Sequence, residues 1–224
     1  MTSTAERALN WLRPHLLASS DGILTSAGIC EGLAGAGVAA NVLFLAAVGG
    51  LVAGALATGG SEYTKVAALR ERQLALLADE RLQLESDPEA ELDELTRLYT
   101  ARGLSSDLAR QVALELTAHD ALLAHAEVEH GITAASVPRP LRDATAVAIA
   151  FAAGALLPLI AMALLPGQLD APVTYVIVIL ALALTGWLSA RASDVHPVWP
   201  MIRTATIGVL AMTATFFAGT VIHR

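Results

Sequence analysis

Cysteine is nearly absent from this chain of 224 residues: Cys30 stands alone, which excludes a disulfide framework and a cysteine-based zinc site. Aromatic residues make up 4%, too few rings for a surface on which single-stranded nucleic acid bases could stack. Positive charge is short as well. Fourteen Lys and Arg against 21 Asp and Glu leave a formal charge of −7, which opposes a phosphate backbone and argues against a nucleic-acid partner. Charged residues of both signs total only 16%, where a soluble domain carries about 25%. What replaces them is apolar: hydrophobic residues reach 55% and mean hydropathy is +0.58. The balance argues against an ordinary cytosolic enzyme and for a membrane protein with one soluble piece.

The charges are segregated. Residues 32–61, 144–169, 171–190 and 204–223 contain no Asp, Glu, Lys or Arg. Residues 69–140 hold 14 acidic residues and 7 arginines, so this stretch accounts for the whole net charge. A membrane-crossing helix needs about 20 mostly apolar residues. Five spans fit, at about 22–40, 42–62, 146–165, 172–190 and 202–222. The first two are weak, rich in Gly and Ala, with Asn41 as the obvious turn between them. The division follows: 1–68 with spans one and two, 69–140 as a soluble segment, 141–224 with spans three to five. Residues 1–20 carry Glu6, Asn10, Arg13 and Pro14, which interrupt the apolar core a signal peptide needs. Arg7 and Arg13 precede span one, most positive residues follow span two, the 166–171 loop has none, and only Arg224 follows span five. Positive residues stay in the cytoplasm, so the N-terminus and soluble segment are expected there and the C-terminus outside. Lys65 is the single lysine and alanine is abundant, as in a GC-rich bacterial genome, so a bacterial plasma membrane is expected.

Asp87-Pro88 and Arg102-Gly103 break the soluble segment into three helices. The first continues from span two through Arg70 to Glu85, the second covers 89–101, and the third runs from an N-capping Ser106 to about His130. Leu92, Leu95, Leu98 and Tyr99 form one apolar stripe; Leu108, Val112, Leu116 and Leu123 form another. At about 100° per residue, Asp93 and Arg97 face away from the first stripe while Glu91 lies on its edge. Glu94 is one turn on and further round, placed to share a ligand with Glu91. In the third helix His119 falls inside the stripe with Glu115 at its edge, and the pair His125 and Glu129 lies further round. A buried carboxylate is costly unless it is paired or holds a metal. Carboxylates and imidazoles converging in a helical bundle suit a divalent cation. The alternative is a solvated face with arginine partners such as Arg81 and Arg110.

The spans carry signals of their own. Asp21, Thr25, Gly28, Gly32, Gly35 and Ala39 share one face of span one, and Gly50, Gly54, Ala57 and Ser61 repeat the pattern in span two. Such small-residue faces let helix backbones approach closely, and plain packing accounts for the glycines. Ionisable groups in a span point to function. Asp21 and Glu62 stand near the expected cytoplasmic ends of spans one and two, where a carboxylate hands a cation onward or releases a proton when the cation binds. Lys65 snorkels or pairs with Glu62. Glu31, deeper in span one, should face a partner helix or a wet cavity.

Asp21-Gly-Ile-Leu-Thr-Ser-Ala-Gly, Gly32-Leu-Ala-Gly-Ala, Leu51-Val-Ala-Gly-Ala-Leu and Ser61-Glu-Tyr together resemble the vacuolar iron transporter family. So do Asp87-Pro-Glu-Ala-Glu-Leu-Asp-Glu-Leu, Tyr99-Thr-Ala-Arg-Gly-Leu and His125-Ala-Glu-Val-Glu-His-Gly-Ile, with Trp11-Leu-Arg before span one and Arg203, Gly208 and Ala211 in span five. The resemblance covers nearly the whole chain, in order. It implies an all-α, five-span homodimer in lipid, with a three-helix cytoplasmic metal-binding domain between spans two and three. It also implies proton-coupled export of Fe2+, sometimes Mn2+, with no organic cofactor. By the resemblance Glu80, Glu91, Glu94 and Glu129 are metal ligands, Asp21 is the acid of the translocation path, and Glu62 is the acid ending span two. Residue phase had singled out Glu91 and, by spacing, Glu94, but neither Glu80 nor Glu129. Departures are specific. Gln83 and Ala126 replace glutamates, and His125 stands where methionine occurs. Thr58 replaces a methionine in the path, offering a harder oxygen. Glu31 is an added carboxylate. The expected pathway is Asp21, Glu31, Thr58 and Glu62, and the expected metal-binding set adds Glu115, His119 and His125 to the four glutamates. Two other readings are a membrane-anchored ferritin-like iron oxidase, for which only Glu127-x-x-His130 has the right spacing, and a metal sensor that does not transport.

Overall fold

The computed structural model describes residues 4–133, 137–164, 170–193 and 195–222, with side chains from residue 12 onward and, in the fourth span, from residue 173. Among these residues there are seven α-helices and no strand: α1 (Thr4–Gly35), α2 (Ala40–Ser86), α3 (Pro88–Ala101), α4 (Ser106–His130), α5 (Pro140–Leu164), α6 (Asp170–Arg191) and α7 (Val198–Ile222). The all-α expectation holds. Most of the 166–171 loop, with Asp194 and Arg224, lies outside the described residues.

The chain divides into two compact units, Met1–Tyr63 with Leu141–Arg224, and Thr64–Pro140. In the first unit α1 packs on α6 and α7, and α6 on α7. Ile23 and Ala27 of α1 meet Val178, Leu182 and Met212 in one cluster, while Ala18 meets Val147, Phe151 and Ala155 in another. Among the described residues four helices are long and apolar enough to cross a membrane: α2, α5, Val173–Arg191 of α6, and α7. Five were expected. α1 is not among the four because Asp21, Glu31 and several glycines dilute its hydropathy.

The turn between the first two spans also differs from expectation. α1 ends in a Schellman motif rather than at Asn41: the Val38 N–H donates to the Leu33 carbonyl at 3.2 Å and the Gly37 N–H to Ala34 at 3.0 Å, with Gly37 at φ +66°. The glycines of the small-residue faces pack inside the chain, while Asp21, Thr25, Ala39, Ala57 and Ser61 of the same faces are exposed. Gly28, Gly32 and Gly35 lie against Thr215 and Phe216 of α7, and Gly54 against the Phe151 ring. At Gly22 and Gly154 an added Cβ would collide with the carbonyls of Phe151 and Ser19 respectively, so α1 and α5 cross backbone to backbone.

The second unit is built from α2 beyond Tyr63, α3 and α4. Asp87 accepts from the Ala90 N–H at 3.1 Å and Pro88 opens α3, an arrangement that needs no N–H at the first helical position. Ser105, not Ser106, is the capping residue of α4. Leu95, Ala113 and Ala124 form the core, with Leu92, Tyr99, Leu116 and Val128 around it. α4 is kinked at Asp120, whose backbone is extended (φ −161°, ψ 94°) and whose side chain caps the continuation by accepting from the Leu123 N–H at 3.0 Å.

Candidate metal centre

Each helix of the second unit supplies part of one polar cluster. Glu80 belongs to α2, Glu91 to α3, and His125 and Glu129 to the part of α4 beyond the kink. One ligand atom from each of the four lies within 4.8 Å of every other. His125 Nδ1 is 2.9 Å from Glu129 Oε1, 3.1 Å from Glu80 Oε1 and 3.6 Å from Glu91 Oε2. His125 and Glu80 are buried, with side chains 0% and 2% exposed; Glu91 and Glu129 reach 12% and 20%. Local structure holds the set in place. Gly131 ends α4 in the left-handed region, with its N–H bonded to the Glu127 carbonyl. Arg102, stacked over the Tyr99 ring, donates to the Val128 carbonyl at 2.8 Å, beside Glu129.

Three carboxylates around one imidazole nitrogen are not satisfied by it. A nitrogen carries at most one proton to share among them. Glu80 Oε1 and His125 Nε2 are both buried without a hydrogen-bond partner among the described residues. Burial pushes the Glu80 carboxyl above the ordinary glutamate range, and the neighbouring Glu129 carboxylate adds to it. Burial likewise raises Glu91, with Glu94 and Glu129 adding to the effect and His125 opposing it. Each of these two carboxyls therefore favours a proton or a bound cation over bare charge. Oxygen donors with one imidazole suit divalent ions such as Mn2+, Fe2+ or Zn2+. Glu129 also lines an open cleft of about 400 Å³ with Arg72, Gln73 and His130, which gives the cluster a way to solvent.

Other candidates stand apart. Glu94 is half-buried and lies 3.8 Å from Arg97. Glu115 and His119 are exposed. The stripe of Leu108, Val112 and Leu116 would bury His119, but α4 turns the neighbouring line to the core: Ala109 and Ala113 are buried while Leu108 is exposed, and beyond the kink at Asp120 the buried residues are Ala124, His125 and Ala126. Glu127 and His130, the Glu-x-x-His pair, are exposed and outside the cluster, as is Gln83. In the first unit Asp21 is exposed, Thr58 and Glu62 are half-buried, and Glu31 is buried. Glu80 was findable by phase, since Gln73, Leu77 and Leu84 share its side of α2 and are partly buried.

The sequence model of the VIT family matches residues 12–220. The chain belongs to the VIT family. Among its VIT relatives, the vacuolar iron transporter of Acanthamoeba castellanii is 35% identical over 211 residues, 93% of this chain and 77% of the relative. Vacuolar iron transporter 1 of Tulipa gesneriana is 26% identical over 93% of this chain and 86% of its own length, and that of Arabidopsis thaliana 25% over 95% and 86%. With four apolar helices of spanning length, this VIT-family chain is an integral membrane protein.

Proposed function

We propose that this VIT-family chain is a secondary transporter that moves a divalent metal ion, ferrous iron first and manganese second, out of the cytosol in exchange for protons. The convergence of Glu80, Glu91, His125 and Glu129 carries the reading: buried carboxylates that favour a proton or a cation bind either in competition, which is the physical basis of exchange. The relatives' name, vacuolar iron transporter, supports iron as the cargo. In this reading the chain is not an enzyme and uses no organic cofactor. The unit Thr64–Pro140 is cytoplasmic and gathers cations, and Asp21, Thr58 and Glu62 pass them onward. α1 is the fifth span, since its Ile23 and Ala27 are core residues packed against α6 and α7. The N-terminus is cytoplasmic, the C-terminus outside, and the membrane a bacterial plasma membrane. The working form is a homodimer: Asp21 and Thr25 are exposed on α1, and a carboxylate facing lipid is costly unless a second copy covers it.

The test is uptake of Fe2+ and then Mn2+ into sealed proteoliposomes, with and without a pH gradient. Uptake that rises with the gradient supports the proposal. No uptake of either ion, with metal still bound by the chain in detergent, would overturn it in favour of a metal sensor.

A further inference from the structure

Inside the membrane unit a cavity of about 300 Å³ lies between α1, α2, α5 and α6. Its lining includes Cys30 and Glu31 of α1, Met162 of α5 and Thr174 of α6. Cys30, Glu31 and Thr174 are each 4% exposed. No hydrogen bond or ion pair reaches the Glu31 carboxylate among the described residues. A bare carboxylate in such a place is unfavourable by several kcal/mol. The surroundings decide what would relieve it. Among the described residues arginine, lysine and histidine are missing from the lining, so none of these offers Glu31 an internal ion pair. Present instead are a thiol, a thioether and a hydroxyl, a mixture of soft and hard donors that suits a first-row transition ion better than Ca2+ or Mg2+. The volume is ample, since a water molecule takes about 30 Å³ in the liquid. Glu31 is also distinct from the Asp21 surface. Ten residues of continuous helix separate them, a rise of about 15 Å, and Asp21 is exposed where Glu31 is buried.

We propose that this cavity is a second divalent-cation site, formed within one protomer by the Glu31 carboxylate, the Cys30 thiolate, the Met162 thioether and the Thr174 hydroxyl, and that it takes a transition ion of the Fe2+ class. Charge balances on loading: the ion's two positive charges meet one carboxylate and one thiolate, and the protons that the thiol and the buried carboxyl carry without the ion leave to solvent. The proposal goes beyond the transport reading and does not depend on it, because the site is defined by equilibrium binding.

The chain's single cysteine makes the test specific. Co2+ is titrated into the full-length protein in detergent micelles, and the near-ultraviolet thiolate-to-cobalt charge-transfer band is followed. The four-residue centre of the other unit has no sulfur, so any such band comes from Cys30. The wild type should show the band, Cys30→Ser should lose it, and Glu80→Gln should keep it. Glu31→Gln should raise the Co2+ midpoint of the band by about tenfold, as expected for loss of a charged ligand. Met162→Leu, which conserves volume, should raise it by about threefold. A wild-type chain that binds Co2+ with no thiolate band overturns the proposal. So does a band whose midpoint Glu31→Gln leaves unchanged; should that variant not fold, an unchanged midpoint in Met162→Leu decides the same way. Loss of proteoliposome uptake with the band intact would sink the transport reading and leave this site standing.

Discussion

In the unit Thr64–Pro140, three helices bring Glu80, Glu91, His125 and Glu129 to within 4.8 Å of one another, around a core that holds them. In the unit formed by Met1–Tyr63 and Leu141–Arg224, the acidic groups are dispersed: Asp21 exposed on α1, Glu31 buried in a cavity, Glu62 half-buried on α2. The first arrangement concentrates donors, so one cation relieves several strained carboxylates at once. The second leaves each carboxylate with its own environment, and the two proposals relieve them differently: a second copy over Asp21, a cation at Glu31. A gathering site and a path place opposite demands on their carboxylates, because tight convergence gives affinity and dispersal lets an ion leave.

The sharpest way to break that comparison is to remove one group from each unit. Asp21→Ala should reduce metal uptake into proteoliposomes to the level of empty vesicles while Co2+ binding in detergent stays normal. Normal transport by this variant would remove Asp21 from the path. In the other unit, Glu80→Ala or His125→Ala removes a buried ligand. The loss in metal affinity, read by isothermal titration of the full chain, should at least match the roughly 10–100-fold loss that follows removal of an outer-shell partner. Uptake should fall less than in Asp21→Ala, because a gathering site raises local concentration without forming the path. Equal losses would merge the two roles.

Acidity sharpens the same contrast. Glu80 and Glu91 have folded-state pKa values raised above the ordinary 4.5. Between that value and the raised one, the folded metal-free protein binds more protons than the unfolded chain, so its stability falls as pH rises through this window. Metal affinity should move the other way, rising as the protons that compete with the ion are lost. Thermal unfolding with and without Mn2+ reads both: stabilisation by Mn2+ should grow from pH 5 upward. A stabilisation independent of pH would mean that the bound ion displaces no protons.

Much of this was legible in residue order, and the failures have physical reasons. Proline and glycine fixed the breaks at Asp87-Pro88 and Arg102-Gly103, because their backbone demands are local. Glu91 was found because an acid on the edge of an apolar stripe is visible in helical phase. Glu80 obeys the same rule on α2, where the stripe is thin because α2 is mostly exposed in this stretch, and it came from the family resemblance instead. His119 was misplaced because the buried line of α4 before the kink is Ala109 and Ala113, one residue on from Leu108 and Val112, and alanines mark a core face less visibly than leucines. The turn at Gly37 was missed because α1 and α2 are crowded with glycines, and only the backbone reveals which one takes positive φ. Glu31 was expected to face a partner helix or a wet cavity. Which donors line that cavity depends on α5 and α6, more than a hundred residues away, and no local pattern carries it.

The kink at Asp120 offers a smaller test. Its carboxylate caps the last stretch of α4, so Asp120→Ala should lower stability by about 1 kcal/mol, the usual effect of removing an N-cap. Because His125 and Glu129 both lie beyond the kink, metal affinity should fall too, and by less than for loss of a ligand. Asp120→Asn keeps a capping oxygen and should restore both. An Asp120→Ala chain with wild-type affinity would show that packing by Ala124 and Ala126, not the cap, orients His125.

Arg110 and Asp93 supply the control with the smallest expected effect. Arg110 Nη1 donates to Asp93 Oδ1 at 2.6 Å, yet the side chains are 53% and 65% exposed. Water competes for both partners, so the pair contributes about 0.2–1 kcal/mol at most. Arg110→Ala should change stability within that range and leave metal affinity at its wild-type value, since neither residue belongs to the four that converge. High salt should abolish even this difference, because an exposed pair is screened. A rise in affinity would instead show that the centre feels the net charge of the whole acidic unit, since losing Arg110 makes that unit more negative. The convergence of four side chains would then be a weaker explanation of binding than the fourteen carboxylates of residues 69–140 taken together.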